Sequence, residues 1–386
     1  MSTPALLAAL LLSPLQVSTD TLTVRADADP PEGPDLQPFE EVRVGSLDRT
    51  DGTAFGLVIG VVATEDGSLY VADTQVPAIR MFDVDGVHVG DVGRQGEGPG
   101  EFRGLNAIAM TPEGEIAAWD YTAHRLSVFA GDGAYLRSFR TPDVAGLLMG
   151  PGPALVVDTA GRFWIRTFHE FPRTPGAPEV VYSWVRYSPR GEIIDSIVPP
   201  RRRLGGSLAA FKIETVNVLS PGAYFVSGRK DEYAVHRPLS DGRIVRIERG
   251  YAPVPLVGQE RSQWEAFLAE WERRWNFDSP DLPRHKPVWR SLFVDADSRI
   301  WVARHGVAEH REGYVSRRTA RGQWPNVDWV EPTAYDLLGP RGSFLGSATF
   351  PDGAQVVFAR GRHVWTLESG ELDEQYVVRY AIRTGG

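Results

Sequence analysis

Short apolar segments with alternating character recur along the chain, and turn sequences separate them. The clearest example covers residues 60–102, which contain four such segments. The turn Glu65-Asp66-Gly67 separates the first two segments, and Asp85-Gly86 separates the last two. Glycine supplies the positive φ that tight hairpin turns require. Alternation of apolar and polar residues with a period of two is typical of a strand with one buried face. This stretch therefore predicts a four-stranded antiparallel meander.

The same arrangement of a turn followed by a strand rich in aromatic and β-branched residues occurs in six copies. The turns are Asp66-Gly67, Glu113-Gly114, Ala160-Gly161, Pro221-Gly222, Asp297-Ser298 and Arg360-Gly361. A second hairpin follows most copies, whereas the last copy is followed by one strand only. Repetition of one supersecondary unit at a regular spacing indicates a repeat architecture.

The strand that the last unit lacks has a counterpart near the other end of the chain, at residues 39–44. If this segment pairs with the C-terminal unit, the strands form six complete blades and the ring closes without free sheet edges. The sequence therefore predicts an all-β fold, a six-bladed β-propeller of four-stranded antiparallel blades whose N-terminal strand closes the last blade. Two β-sandwiches, the alternative fold, would not explain six evenly phased repeats.

Individual residues of the first two units add a family resemblance. Val71-Ala72-Asp73-Thr74, Ile79-Arg80-Met81-Phe82-Asp83 and the glycine-rich segment 93–102 resemble the NHL-type propeller repeat. The chain is thus similar to bacterial six-bladed propeller proteins of the NHL-like kind. That class includes lyases, lactonase-like hydrolases, sensor domains and binding scaffolds, so the resemblance implies the fold and leaves the chemistry open.

Composition narrows the range of partners and of chemistry. The net charge of -9 argues against nucleic acid and against an anionic membrane surface as partners. The chain contains no cysteine, which excludes disulfides, thiolate catalysis and cysteine-ligated metal sites. Its basic residues are nearly all arginine, since lysine occurs only at positions 212, 230 and 286. We expect a monomer without a membrane span.

The N-terminal segment resembles an export signal. An apolar run at residues 5–12 is too short to span a bilayer, which takes about 20 residues, but it fits the apolar region of a signal peptide. No basic residue precedes Arg25, and the small residues Ala26-Asp27-Ala28 that could precede a cleavage site come late. We interpret residues 1–37 as a signal peptide and linker, which implies a periplasmic or secreted protein; a cytoplasmic protein with an uncleaved N-terminus is the alternative. Residues 38–386 form the propeller.

Three insertions extend beyond the length of a minimal blade, at residues 168–180, 251–287 and 305–332. In an antiparallel blade, the loop between strands two and three and the loop to the next blade emerge on the same side of the disc. All three insertions therefore decorate one face, which we call the insertion face. Functional loops concentrate on such surfaces of a rigid scaffold.

The second insertion predicts a helix within residues 253–287. Its aromatic and aliphatic residues recur at helical spacing: Trp264, Phe267, Leu268, Trp271 and Trp275. The helix would pack as a cap on the rim, cover the channel as a lid, or dock a partner.

Alignment of the blades brings polar and basic residues to the channel mouth on the insertion face. The candidate ligand-binding residues are Asn106, Asp120, Glu214, Arg229, Arg290, Arg304 and His305. The insertions contribute further basic residues, namely His169, Arg201, Arg202, Arg203, His310, Arg311, Arg317 and Arg318.

Two hypotheses follow from this set, beside the interpretation that Asp120 stabilises a turn and that the arginines are solvated and paired. The first is a binding scaffold without catalysis, whose locally basic face recognises a small anionic ligand, a peptide or a protein, because arginine binds carboxylates in a bidentate manner. The second is a metal-dependent hydrolase or lyase. Asn106, Asp120 and Glu214 would then hold a divalent cation such as calcium, and His305 would be the acid–base residue. No catalytic residue is assigned beyond that.

Overall fold

The computed structural model describes residues 21–26, 34–47, 53–141, 153–170, 181–199, 211–275, 281–312, 327–370, 372 and 374–384. Strands dominate these residues. In chain order the elements are β1 (Thr21–Arg25), β2 (Asp35–Val44), β3 (Val58–Ala63), β4 (Leu69–Asp73), β5 (Ala78–Phe82), β6 (His88–Val92), β7 (Leu105–Met110), β8 (Ile116–Asp120), β9 (Arg125–Phe129), β10 (Tyr135–Arg140), β11 (Leu155–Val157), β12 (Phe163–Glu170), β13 (Val181–Tyr187), β14 (Ile193–Ile197), β15 (Thr215–Leu219), β16 (Phe225–Arg229), β17 (Ala234–Pro238), β18 (Ile244–Glu248), α1 (Gly258–Trp275), β19 (Trp289–Val294), β20 (Ile300–Arg304), β21 (Glu309–His310), β22 (Trp329–Val330), β23 (Thr333–Leu338), β24 (Phe344–Phe350), β25 (Gln355–Arg360), β26 (His363–Ser369) and β27 (Gln375–Thr384).

These strands form six antiparallel blades. Blades one to four consist of β3–β6, β7–β10, β11–β14 and β15–β18; blade five consists of β19, β20, β23 and β24; blade six consists of β25, β26, β27 and β2. Strand β2 pairs antiparallel with β27 from Leu36↔Thr384 to Val44↔Val377, which closes the ring. The predicted six-bladed propeller with an N-terminal closing strand is confirmed.

The core consists of apolar clusters between neighbouring blades, one at each of the six junctions of the ring. Each cluster contains residues of both neighbouring blades. From the junction of blades one and two round to that of blades six and one, members from the two sides are Val62 and Ile108, Ala117 and Phe163, Trp164 and Leu219, Val226 and Val302, Trp301 and Val364, and Trp365 and Val71. The inner strands of a blade are buried on both faces, and all residues of β4, LYVAD, are buried. The outermost strands are more exposed, as in β10.

The N-terminal part of the chain is more structured than the predicted linker. Strand β1 adds a fifth, parallel strand to β18 at the outer edge of blade four, with Thr21 opposite Ile244 and Arg25 opposite Glu248. Ala26 follows it and is only 2% exposed, because it packs into the cluster between blades four and five. The closing strand β2 also begins earlier than predicted, at Asp35, since Leu36 is buried and pairs with Ala348 of β24.

The turns between the first and second strands of the blades require a left-handed residue. Gly67 and Gly114 have φ values of 101° and 81°, whereas Ala223 and Ser298 adopt 62° without a glycine. In blade four the left-handed residue is Ala223, one position after the glycine used to align the repeats. The predicted register of blade four is therefore wrong by one residue, because the prediction assigns the left-handed position to Gly222 instead of Ala223.

Candidate functional site

Two of the candidate residues stand in β-bulges at the mouth of the channel. The pairing of β7 with β8 shifts around Asn106, and the pairing of β19 with β20 shifts around Arg290. A bulge redirects the side chain of its extra residue. Blades two and five are third neighbours in a closed ring of six, so Asn106 and Arg290 occupy equivalent positions on opposite sides of the mouth.

Glu214 does not occupy this ring of positions. In blade four, Thr215 pairs with Arg229 without a bulge. The corresponding pairs are Leu105 with Asp120 in blade two and Trp289 with Arg304 in blade five, and a bulged residue follows each of them. Blade four therefore has no equivalent of Asn106 and Arg290. Glu214 lies one residue before Thr215, and its carboxylate forms an ion pair with Lys230 at 3.2 Å.

Asp120 has a structural environment. It is 1% exposed, and its carboxylate accepts hydrogen bonds from the amides of Arg103 at 2.6 Å and Ala123 at 2.8 Å. Asp73 of blade one accepts the same kind of bonds, from Gly56 at 2.6 Å and Gln75 at 2.9 Å. Both aspartates thus hold together the segment that enters the first strand of their blade and the loop that leaves the second strand.

The calcium site that the sequence suggested stays a prediction. Asp120 and Glu214 are already held in the interactions above, and the Oδ1 atom of Asn106 is buried without a hydrogen-bond partner. Within the described ranges, no three His, Asp or Glu side chains come together as a metal-binding group.

The candidate arginines differ in their counter-ions. Arg229 forms an ion pair with Asp231 at 2.7 Å, and Arg304 forms one with the buried Asp336 at 3.0 Å. Arg290 is half-buried, and its Nη2 donates to the carbonyl oxygen of Pro332 at 3.1 Å. No carboxylate of a described residue lies within ion-pair distance of Arg290, so its charge is balanced only by a carbonyl dipole.

The insertion-derived candidates are described only in part. Arg311 pairs with Asp352, and the His310 ring lies tilted against Trp329 at a centroid distance of 5.3 Å. The other candidates lie outside the described residues, either entirely or by their side chains: His169, Arg201, Arg202, Arg203, Arg317 and Arg318.

His305 is part of a buried polar network. Its Nδ1 atom lies 2.9 Å from Oε2 of Glu331. Glu331 also accepts from the amide of Gly306 at 3.1 Å and pairs with Lys286 at 3.1 Å. The Lys286 side chain is fully buried and pairs with Glu260 of α1 at 2.7 Å. The network thereby joins the helix, the segment that returns the chain to blade five, and the loop after β20.

Burial and charge shift the acidities within this network. Burial lowers the pKa of His305 below its usual 6.5, and the charges of Arg290 and Lys286 lower it further, against the opposing effect of Glu331. Burial alone would raise the pKa of Glu331, but the hydrogen bond from His305, the nearby positive charge and the Gly306 amide lower it to about 2. Burial raises the pKa of Glu260, although Lys286 opposes the shift. At neutral pH the ring of His305 is therefore uncharged beside an ionised Glu331.

An apolar cluster covers this network on the insertion face. Trp264, Phe267 and Leu268 of α1 pack with apolar residues from outside the helix, as their helical spacing predicted: Phe211, Leu256, Leu282, Val327 and Trp329. We call α1, residues 281–288 and strands β21 and β22 the cap. Gln263 connects the helix to the start of β22, because its Oε1 accepts a hydrogen bond from the amide of Asp328 at 2.8 Å. The described parts of the insertions at 251–287 and 305–332 thus form one packed unit.

Sequence reasoning did not identify Glu331, Lys286 and Glu260. The signal that could have found them is the scarcity of lysine, since Lys286 is one of only three lysines in an arginine-rich chain. A compact ammonium fits between two carboxylates in a closed space where the larger, planar guanidinium would not.

Comparison with known proteins agrees with the fold. Residues 35–151 match the model of a family described as a 6-bladed beta-propeller. A member of the duf4221 family from Bacteroides vulgatus superposes with a TM-score of 0.55 at 11% identity, over 91% of this chain and 99% of its own. A candidate exported protein from Bacteroides fragilis superposes with a TM-score of 0.50 at 11% identity, over 95% of this chain and 100% of its own.

A virginiamycin B lyase variant from Staphylococcus aureus covers 89% of this chain and 98% of its own at 12% identity, with a TM-score of 0.40. The search of curated proteins gave no significant match. These likenesses concern the fold alone. Within the described residues, no helix has the length and apolar character needed to cross a bilayer.

Proposed function

We propose that this propeller is a binding protein that takes up a small anionic ligand at the channel mouth on the insertion face, next to the cap. The observation that carries the proposal is Arg290, which is half-buried, stands in a bulge and has only the carbonyl of Pro332 as a partner among the described residues. A guanidinium without a counter-ion in a partly dry site favours the binding of a carboxylate or phosphate.

The cap supports the same function because it makes this face rigid before any ligand arrives. Its apolar cluster and the buried Lys286 hold the loop after β20, and therefore the surroundings of Arg290, in one arrangement. Preorganisation reduces the entropy that binding would otherwise cost. Fewer arginines are thus available to an anionic ligand than the sequence predicted, because Arg229 and Arg304 already have carboxylate partners.

A ligand screen by thermal unfolding tests the proposal. We expect small carboxylates or phosphate to raise the unfolding temperature by about 2 °C at ten times their Kd. Arg290→Met should abolish the shift. Arg341→Met, which alters an exposed arginine in the turn between β23 and β24 on the opposite face, should retain it. Equal shifts in both variants would contradict the proposal. The absence of any shift in the wild type would contradict it as well, and a screen of peptides and proteins would then follow.

Export belongs to the proposal as well, and the apolar run at residues 5–12 supports it. Since Thr21–Arg25 is a strand of blade four and Ala26 is buried, we propose that any leader is removed upstream of Thr21 rather than at Ala28. Cell fractionation and the intact mass of the mature chain test the two parts separately.

A further inference from the structure

We propose that His305 is the hydrogen-bond acceptor of the site at Arg290, and that the ligand is a small anion with a hydroxyl group next to its charge. This inference rests on the proposed function and deepens it. The argument uses the tautomer of the imidazole, the groups that hold it, and its place beside Arg290.

The hydrogen bonds of Glu331 determine the tautomer of His305. Glu331 accepts from the amide of Gly306 at 3.1 Å and faces the ammonium of Lys286 at 3.1 Å, so it is held as a carboxylate, which can only accept. The hydrogen bond of 2.9 Å to Nδ1 of His305 must then be donated by the imidazole. In the neutral ring, Nε2 is consequently the unprotonated nitrogen, with a free lone pair.

The surroundings of His305 hold the ring in one orientation. The Phe211 ring lies against it at a centroid distance of 5.3 Å, and the side chain keeps 10% of its surface exposed. The charged groups that face it are Glu331 from the loop before β23, Lys286 from the segment before β19, and Arg290 from β19 itself. Glu260 of α1 acts on it only through Lys286. Two cations and one anion thus surround the imidazole, and its burial favours the neutral form.

Arg290 and His305 contact consecutive residues, because Arg290 donates to the carbonyl oxygen of Pro332 and His305 donates to the carboxylate of Glu331. The cation and the acceptor therefore lie at one site. Arg290 attracts an anionic group, while Nε2 of His305 accepts a hydrogen bond from a hydroxyl group and disfavours a ligand that offers only acceptors. No described residue donates a hydrogen bond to Nε2. A hydroxycarboxylate presents both features, whereas the corresponding simple carboxylate presents one.

Long-range proton–nitrogen NMR of histidine-labelled protein tests the tautomer without any ligand. The resonances of His305 are assigned by their loss in His305→Gln. We expect an unprotonated Nε2 and a protonated Nδ1 at pH 7, and we expect Glu331→Gln to mix the two tautomers. A protonated Nε2 in the wild type, or an imidazolium, would overturn the inference.

Titrations with malate and succinate, which differ by one hydroxyl group, test the class of ligand. We expect malate to bind about tenfold more tightly, which is the effect of one additional hydrogen bond. His305→Gln should remove this preference while succinate still binds, and Arg290→Met should weaken both ligands. Equal affinities of the two ligands for the wild type would overturn the inference and leave the proposed function standing. Failure of both ligands to bind would overturn the inference, and failure of every small anion in the wider screen would overturn the proposed function.

Discussion

Lys286 is the residue on which the arrangement of the insertion face depends. Its ammonium group is fully buried between Glu260 and Glu331 and also donates to the carbonyl oxygen of Gly306 at 3.1 Å. Removal of one member of a buried ion pair commonly costs about 3–5 kcal/mol, because the remaining charge is left without compensation. A single side chain therefore couples helix α1 to the loop that carries His305.

The same network makes stability depend on pH. The folded pKa of Glu331 is lowered to about 2 from its usual 4.5, so its stabilisation is present above pH 4.5 and is lost as the pH falls towards 2. The pKa of His305 is also lowered, which adds a loss of stability below pH 6.5. Glu260, whose pKa is raised, opposes this trend in part, since its ionisation above pH 4.5 destabilises the fold.

We therefore expect the free energy of unfolding to fall on acidification below about pH 6, with a contribution from Glu331 on the order of 3 kcal/mol when it is fully protonated. Glu331→Gln should be less stable than the wild type at pH 7 and should show a flatter dependence below pH 4.5. Urea unfolding at several pH values measures both. Glu265→Gln, at a half-exposed position on the helix surface, is the matched control and should follow the wild type. An unchanged slope in Glu331→Gln would contradict the prediction.

At the scale of elements, blades three and five share a turn that the strand pattern alone did not reveal. In blade five, Asp295 accepts hydrogen bonds from the amide of Arg299 at 2.8 Å, from its Nε at 2.6 Å and from the indole of Trp301 at 2.8 Å. In blade three, Asp158 binds Arg162 and Trp164 in the same positions, at 2.7 Å and 2.8 Å to their side chains. The spacing Asp-x-x-x-Arg-x-Trp thus specifies a turn whose buried carboxylate is fully satisfied.

Asp295→Ala should cost about 3 kcal/mol of stability, because it leaves the indole of Trp301 and the Nε of Arg299 without their acceptor. Asp158→Ala should cost a similar amount, since the two turns have the same contacts. Asp132→Ala removes only an exposed turn contact to the amide of Ala134 and should change stability by less than about 1 kcal/mol. Chemical denaturation of the three variants gives the comparison. A cost for Asp295→Ala as small as that for Asp132→Ala would show that this turn contributes nothing special.

The elements also show what sequence could predict and what it could not. Strands and turns were predictable because β-propensity, period two and glycine turns are local signals, and the helical spacing of Trp264, Phe267 and Leu268 was equally local. The register of blade four was not predictable, because Ala223 adopts a left-handed φ of 62°, and alanine is not a residue that indicates such a conformation. The network of Lys286 was not either, because its partners Glu260 and Glu331 are distant in sequence and meet only after both insertions have packed.

At the scale of the whole molecule, the N-terminal residues tie three blades together. Strand β1 lies along blade four, and β2 contacts β24 of blade five before it pairs with β27 of blade six. The ring closure was predictable from the count of strands. The contribution of β1 was not predictable, because a threonine-rich edge strand with exposed side chains has the composition of a linker. Only Val24 and Ala26 of this segment reach the core.

Two truncations separate these contributions. A chain that begins at Pro34 loses β1 and should remain a folded monomer with a modestly lower unfolding temperature. A chain that begins at Ser46 loses β2 as well, which exposes the edge of β27 and the apolar surface that Leu36 and Val44 cover. It should aggregate or lose several kcal/mol of stability. Size-exclusion chromatography and thermal unfolding distinguish the two. A monomeric second truncation as stable as the first would contradict the role of β2 in closure.

The closing strand has a consequence for the order of events during synthesis. Residues of β2 leave the ribosome long before their partner β27, from Gln375 to Thr384, is made. At roughly 5–20 residues per second, β2 waits for tens of seconds without its partner. Blades one to five can form as they emerge, whereas blade six unites segments that are made at widely separated times. Its assembly is therefore a late step with a long-range contact, and such contacts are slow to form. The interval before this step is the time at which the nascent protein has most need of a chaperone.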